Sequence, residues 1–361
     1  MEKPQITIVA VPRERFCFAR ESLESLYENT EFPFKLVYVD NNSPAKLRRY
    51  LETQAVLKGF QLVRTEYSLS PNQARNFGLR HVSSQYVVFI DNDVIFSPGW
   101  LKALFDCAED TGATVVGSLV CQHTPVHEII HCAGGEYMPP EEFTQFASEK
   151  QSSISPNPFG SEGKWHIREK IYRQGQRLSE VGDELKRQPT GFVEFHCVLV
   201  RTELFQQVGL LDEGFLCTKE YLDLCMTVAK AGGAVYLEPS SLVTFLSHPP
   251  APPLEWSDIP YFMLRWSDAW ELASLRHFRS KWDLAETEYF TRRYKRLGWR
   301  RHKEIVKPWS RRLAFGHDYE PLIQLLKQWE KKLNHYLSDR YTKAHAQHNQ
   351  VLSATQFSSQ S

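Results

Sequence analysis

No stretch of this chain approaches the roughly 18 uninterrupted apolar residues that a membrane-spanning helix needs, and its start, Met1-Glu2-Lys3-Pro4-Gln5, has no apolar leader core. These absences predict a soluble, cytoplasmic protein. Cysteine pairing is missing too: the seven cysteines stand at 17, 107, 121, 132, 197, 217 and 225 with no C-x-x-C, an odd and scattered set that predicts free thiols in a reducing compartment. There is no excess of either charge. Lys plus Arg and Asp plus Glu both total 43, so no global field steers the chain towards nucleic acid. Glycine-rich phosphate loops are also absent. No G-x-x-x-x-G-K-[ST] occurs, and Pro12-Arg13-Glu14 follows the first apolar run where a dinucleotide fold would place G-x-G-x-x-G, so both of those classes are disfavoured.

What the 361 residues do contain is alternation. Apolar runs at Ile6 to Val11, Leu36 to Asp40, Phe60 to Thr65, Tyr86 to Asp91 and Ala113 to Val120 read as strands. Helical spacing fills the gaps between them: Ala19, Leu23, Leu26 and Tyr27; a helix with Pro44 at its first position after Ser43; a capping-box helix from Ser70-Pro71-Asn72-Gln73 to about His81; and one starting at Ser97-Pro98. Strands alternating with helices predict an α/β fold, a Rossmann-like, mainly parallel sheet flanked by helices. From Tyr137 to about Arg187 the pattern dissolves, which predicts a loop or flap, loosest from Gln151 to Gly163. Order returns with strands at Phe192 to Val200, Ala234 to Glu238 and Leu242 to Leu246 and helices at Glu203 to Val208 and Glu220 to Ala231. Prolines 249, 250, 252 and 253 mark a boundary. The expected domains are thus 1–250, with 137–187 as insertion or acceptor flap, and a helical, basic, Trp-rich region over 251–361 whose end frays from Gln350.

The acids sit at strand ends. Asp40, Asp91 and Asp93 would meet at the carboxyl edge of a parallel sheet, where such folds bind ligands. A carboxylate pair there suits a hard divalent cation, manganese or magnesium, that also touches phosphate oxygens. Asp40 is left for a nucleobase or ribose, and Arg75 and Asn76 add a cation and an amide donor one turn into their helix. Together these residues point to a nucleotide diphosphate donor.

The set resembles glycosyltransferase family 2, the inverting nucleotide-sugar transferases of GT-A fold. The resemblance rests on Leu36 to Ser43, Ala74 to Leu79, Tyr86 to Val94 with Pro98-Gly99-Trp100, Ala133-Gly134-Gly135, Gly209 to Phe215, Glu220 to Cys225 and His248, in the family's order. It implies that Asp40 contacts the base, that Pro12, Asp91 and Asn92 line the ribose and diphosphate, and that Asp93 binds the metal as the last residue of a D-x-D motif, supported by Asp91 and His248. It also implies a UDP-, GDP- or TDP-sugar donor and a glycan or lipid-linked acceptor, with Thr190, Gly191 and His196 in the acceptor wall. One departure matters. Where the family has Glu-Asp, this chain has Glu220-Tyr221, so the general base of inverting transfer falls to Glu220, with Asp223 one turn along the same face.

Two alternatives remain open at this level: a transferase-like binding protein that has lost its base, and a sugar-nucleotide pyrophosphorylase, which expects the missing glycine loop. A cluster of Cys121, His123, His127, His131 and Cys132 has zinc-ligand residue types, but Pro125 interrupts any helix that would align them. From Arg276 to Arg312 thirteen Lys or Arg face four acids, with Trp266, Trp270, Trp282, Trp299 and Trp309 around and among them. That composition fits either tryptophans packed on the catalytic domain or peripheral contact with an anionic membrane surface; nucleic acid is not expected.

Overall fold

Six consecutive buried residues make strand β1 (Ile6–Val11) the axis of the sheet in a computed structural model, which describes residues 5–148, 165–247 and 252–358. β1 pairs in parallel with β2 (Lys35–Asn41) on one side and β4 (Tyr86–Asp91) on the other, and β3 (Gln61–Thr65) extends the sheet beyond β2. Helices α1 (Ala19–Glu28), α2 (Ala45–Lys58) and α3 (Pro71–Leu79) make the crossovers. The chain continues through β5 (Val94–Phe96), α4 (Trp100–Thr111), β6 (Val115–Gln122), β7 (Ile129–Cys132) and β8 (Gly135–Glu136). Next come α5 (Pro140–Ser148), β9 (Lys170–Ile171), α6 (Leu178–Val181), β10 (Gln188–Pro189), β11 (Cys197–Arg201), α7 (Glu203–Val208), α8 (Glu220–Lys230) and β12 (Val235–Phe245).

The main sheet runs β10-β12-β6-β11-β4-β1-β2-β3. It is mixed rather than parallel throughout, because β11 lies antiparallel between β4 and β6. The residues before β11 therefore reach the edge on which β4 ends. An unbroken apolar run signals a strand buried on both faces but not its direction, so this reversal has no sequence signature.

Several boundaries differ from the sequence expectation. Phe192 to His196 are not strand but an approach to β11, with Phe192 bridged to Gly135. The two expected strands around Ser240 form one, β12, whose register shifts between Glu238 and Leu242. α4 starts at Trp100 because Gly99, at φ 77°, turns the chain first, and α2 starts after Pro44, which stays extended at ψ 150°.

The 137–187 stretch is built where it is described. α5 packs on α8, Ile167 joins the main core, and Trp165 bridges to Leu284. Gln151 to Gly163 lies outside the described residues. The C-terminal region holds α9 (Ile259–Arg265), α10 (Asp268–Lys281), α11 (Glu288–Lys295), α12 (Trp299–Arg301), α13 (Lys307–Leu313) and α14 (Glu320–Ser358). Its Phe278, Leu284 and Phe290 belong to the same apolar core as the strands. α14 runs to Ser358, and no Gly or Pro interrupts its last turns. Trp270 is buried and the Trp266 and Trp282 indoles donate inwards, whereas Trp299 is 40% exposed. Among the described residues no helix is long and apolar enough to cross a membrane.

Candidate active site

β4 is apolar until its last residue and β5 begins three residues later, so Asp91, Asn92 and Asp93 form a tight turn on the sheet edge, all buried. Two carboxylates buried this closely require counter-charge. Asp91 has it. Its Oδ2 lies 3.2 Å from Arg13 Nη1 and 3.1 Å from His196 Nδ1, and its Oδ1 lies 3.4 Å from Arg75 Nη2. Burial opposes its ionisation, but the His196 hydrogen bond and the Arg13 and Arg75 charges prevail and hold the carboxyl well below the usual range. Asp93 lacks such partners: neither oxygen completes a hydrogen bond within the protein. Burial, then the Asp91 charge, push its carboxyl above the usual range, against weaker relief from Arg13 and the neighbouring Ser247 hydroxyl. An orphaned carboxylate beside an ionised one is a fitting place for a cation, and ligand atoms of Asp91, Asp93 and His196 lie within 4.8 Å of one another.

His196 reaches this group because β11 is antiparallel: its carbonyl accepts from Asp91 N at 3.2 Å, continuing the β4 ladder. The ring stacks on Phe245 with centroids 4.1 Å apart, and burial followed by the Arg13 charge lowers its pKa to about 4, so it is neutral at pH 7. Its Nε2 faces Glu194 Oε2 at 3.5 Å; the same oxygen lies 2.9 Å from His131 Nε2, and His131 Nδ1 is 2.9 Å from Gln122 Oε1. Burial opposes ionisation of Glu194, yet His131, His196 and Arg13 bring it down to about 2. His131, Glu194 and His196 form a second group with metal-ligand spacing, sharing His196 with the first. The Cys/His cluster noted in the sequence does not converge. His127 bonds Thr244 Oγ1 at 2.8 Å and Cys132 Sγ faces Gly134 O at 3.6 Å, leaving only His131 at the site.

The other expected residues separate into those that line the edge and those that brace it. Asp40 is buried two strands from β4; its Oδ1 accepts from Ser43 N at 2.9 Å and its Oδ2 from Arg64 Nη1 at 2.5 Å. Arg75 spans Asp91 and Asn72 and lies 3.8 Å from the Phe195 ring centroid. Pro12 O accepts from Tyr261 OH at 3.4 Å. Asn92 and Asn76 depart from expectation, because both amides brace the backbone. Asn92 accepts from Arg13 N at 3.0 Å and donates to Arg15 O at 2.8 Å, while Asn76 clamps Leu211 N and O and Glu213. Thr190 and Gly191 line a cavity of about 410 Å³ with Tyr137, Met138, Tyr172 and Ala229, and none of Asp91, Asp93, His196 and Glu220 lines it. His196 thus stands with the carboxylates rather than with Thr190. His248 lies outside the described residues.

At the start of α8, Glu220 Oε1 lies 3.3 Å from Arg265 Nη2 and 3.9 Å from Arg75 Nη1, while Oε2 is buried without a partner. Asp223 is held by Lys281 Nζ at 2.7 Å and Trp282 Nε1 at 2.8 Å, so it anchors the C-terminal region. Tyr221, next to Glu220, donates its hydroxyl to Glu169. Sequence reasoning missed Glu169, Glu194, Arg265 and the part played by Arg13. Each is a lone charged residue far along the chain from its partner, and only Arg13, directly after the first strand, carried a positional hint.

A family model described as Glycosyl transferase family 2 matches residues 7–209. No curated protein sequence matches the chain. Among solved structures, the mannosyltransferase PcManGT from Pyrobaculum calidifontis, in complex with GDP-Man and Mn2+, is 14% identical at a TM-score of 0.47, with 93% of this chain and 85% of that one covered. GalNAc-T7 with UDP, GalNAc and Mn2+ is 13% identical at 0.47, covering 84% of this chain and spanning only 57% of the other. Residues 1–349 of TarS from S. aureus are 14% identical at 0.42, covering 94% and 92%.

Proposed function

The chain belongs to glycosyl transferase family 2, and on that premise we propose that it moves one sugar from a nucleotide diphosphate to an acceptor hydroxyl, with inversion and with a divalent metal, manganese or magnesium. The observation that carries the proposal is the Asp93 carboxylate, buried and unpartnered beside ionised Asp91 and neutral His196. Asp91, Asp93 and His196 would hold the metal. Bound there, a divalent ion supplies Lewis-acid stabilisation to the leaving diphosphate. Asp40 receives the base, and Arg75 places a cation beside Asp91. Glu220 Oε2, the unpartnered oxygen, accepts the proton of the acceptor hydroxyl, while Arg265 and Arg75 fix the other oxygen. The acceptor is a glycan or lipid-linked sugar that approaches past the 137–187 segment. Family membership sets aside the pyrophosphorylase.

A second reading, a donor-binding protein without turnover, is supported by one observation: the residue after Glu220, where the resemblance expects an Asp, is Tyr221, and its hydroxyl is engaged by Glu169. One experiment separates the two. Thermal shift with UDP-, GDP-, TDP- and CDP-sugars, with and without Mn2+, should give a metal-dependent rise for one base that Asp93→Asn abolishes. Glu220→Gln should keep that rise but lose turnover by about 10²–10⁴-fold. No shift with any donor defeats the proposal, and unchanged turnover in Glu220→Gln removes Glu220 from it.

A further inference from the structure

Arg13 has one nitrogen in contact with two of the three residues that form the candidate cation group. Its Nη1 lies 3.2 Å from Asp91 Oδ2, 3.0 Å from His196 Nδ1 and 2.8 Å from His196 Nε2. The carboxylates of Asp91, Asp93, Glu14 and Glu194 surround it, with Arg75 and Arg265 as the opposing cations. Arg13 shares Glu14 with Arg300 and Trp266, and shares Asp91 with Arg75.

Arg13 differs from the other groups of this site in its exposure. Its side chain is 23% exposed, whereas those of Arg75, His196 and Asp91 are 3%, 1% and 1%, so it is the most accessible of the four. Its Nε makes no hydrogen bond and lies 3.8 Å from Glu14 Oε2, as an ion pair. Its backbone, in contrast, is pinned by Asn92 Oδ1, and its guanidinium lies over the Phe245 ring at 5.2 Å.

A guanidinium and a divalent cation cannot both occupy the carboxylates of Asp91 and the ring nitrogen of His196. We propose that Arg13 is the resident cation of the donor site: it neutralises Asp91 until metal and nucleotide diphosphate enter, then moves from the carboxylate to the diphosphate oxygens. The fork of an arginine suits both partners, since carboxylate and phosphate accept the same paired N–H geometry. This inference rests on the metal-dependent donor reading above and adds to it a residue that opposes one ligand and favours the other.

That opposition supplies the test. Free Mn2+ is titrated by electron paramagnetic resonance against the full-length wild type, Arg13→Gln and Arg13→Met, the methionine keeping the apolar stem should glutamine disturb the packing. UDP and GDP are then titrated calorimetrically with Mn2+ saturating. Removal of the resident cation should tighten Mn2+ binding by about tenfold and weaken binding of the recognised nucleotide by about tenfold, whereas a merely structural arginine would weaken both. Unchanged or weaker Mn2+ binding in the variants overturns the proposal. A wild type that binds no Mn2+, with Asp93→Asn indistinguishable from it, instead overturns the donor reading beneath it, and this inference with it.

Discussion

Four side chains donate to the Glu169 carboxylate: Lys219 Nζ at 2.7 Å, Arg293 Nη2 at 2.6 Å, Tyr289 OH at 2.9 Å and the Tyr221 hydroxyl. Its side chain is only 7% exposed and that of Lys219 only 6%, so the pair is buried and its loss is not screened by water. Burial opposes ionisation, but Lys219, Arg293 and the Tyr221 hydroxyl prevail and bring the carboxyl down to about 2. The sign follows from linkage: an unfolded Glu binds its proton near 4.5, so this stabilisation is complete above about that pH and is lost as pH falls towards 2. Glu169→Gln should cost about 3–5 kcal/mol at pH 7, because it strands the Lys219 charge. Denaturant titrations from pH 7 to pH 2 check both parts: the variant starts lower and loses less than wild type below about pH 4.5. Equal stability at pH 7, or parallel acid limbs, would contradict this account.

Helix α3 carries Arg75 to Asp91, and its distance from the sheet is set by Gly78. A Cβ at that position would meet Val9 Cγ1 at 2.4 Å and Val39 Cγ2 at 3.1 Å, both on central strands. The backbone there is ordinary helix, so the requirement is close approach and not a special dihedral angle. Gly78→Ala should therefore lift α3 and cost about 1–3 kcal/mol despite alanine's better helix propensity. The expected signs are a lower melting temperature together with a smaller donor-induced shift; a variant as stable as wild type would show that the helix yields freely. At this scale the sequence was most legible for β1 and β4, whose burial on both faces makes unbroken apolar runs, and for α3, whose proline and Gln73 mark its start. It was least legible where meaning depends on distant partners. Glu194 is an ordinary loop acid until His131 and His196 flank it, and Asn76 reads as a donor ligand until Leu211 fills both ends of its amide. The direction of β11, which decides where His196 lies, cannot be read from composition at all.

Across the whole molecule the C-terminal helices pack beside the sheet edge at Pro12, Glu14 and Glu220 and present a surface of their own. Phe315 is 94% exposed, Trp256 76% and Leu313 55%, near Lys307, Arg311 and Arg312. Apolar tips beside basic residues suit an anionic lipid interface, although Asp318 offsets part of the charge at Arg311 and Lys307. Co-sedimentation with phosphatidylglycerol vesicles should show salt-sensitive binding that falls several-fold in the double variant Trp256→Ser and Phe315→Ser. Equal binding to neutral vesicles, or none to either, would remove the membrane from this protein's partners.

The antiparallel setting of β11 has a consequence for the order in which the chain is made. Asp91 leaves the ribosome about a hundred residues before His196, a delay on the order of ten seconds at ordinary synthesis rates. A solvated carboxylate can wait without penalty, so the danger lies only in being sealed from water too early. The strand that seals β4 on that side is β11 itself, and it carries His196 at its leading edge. Arg13 and Arg75 are made before Asp91, and His196 arrives with the cover, so no stage of assembly needs to bury that charge alone.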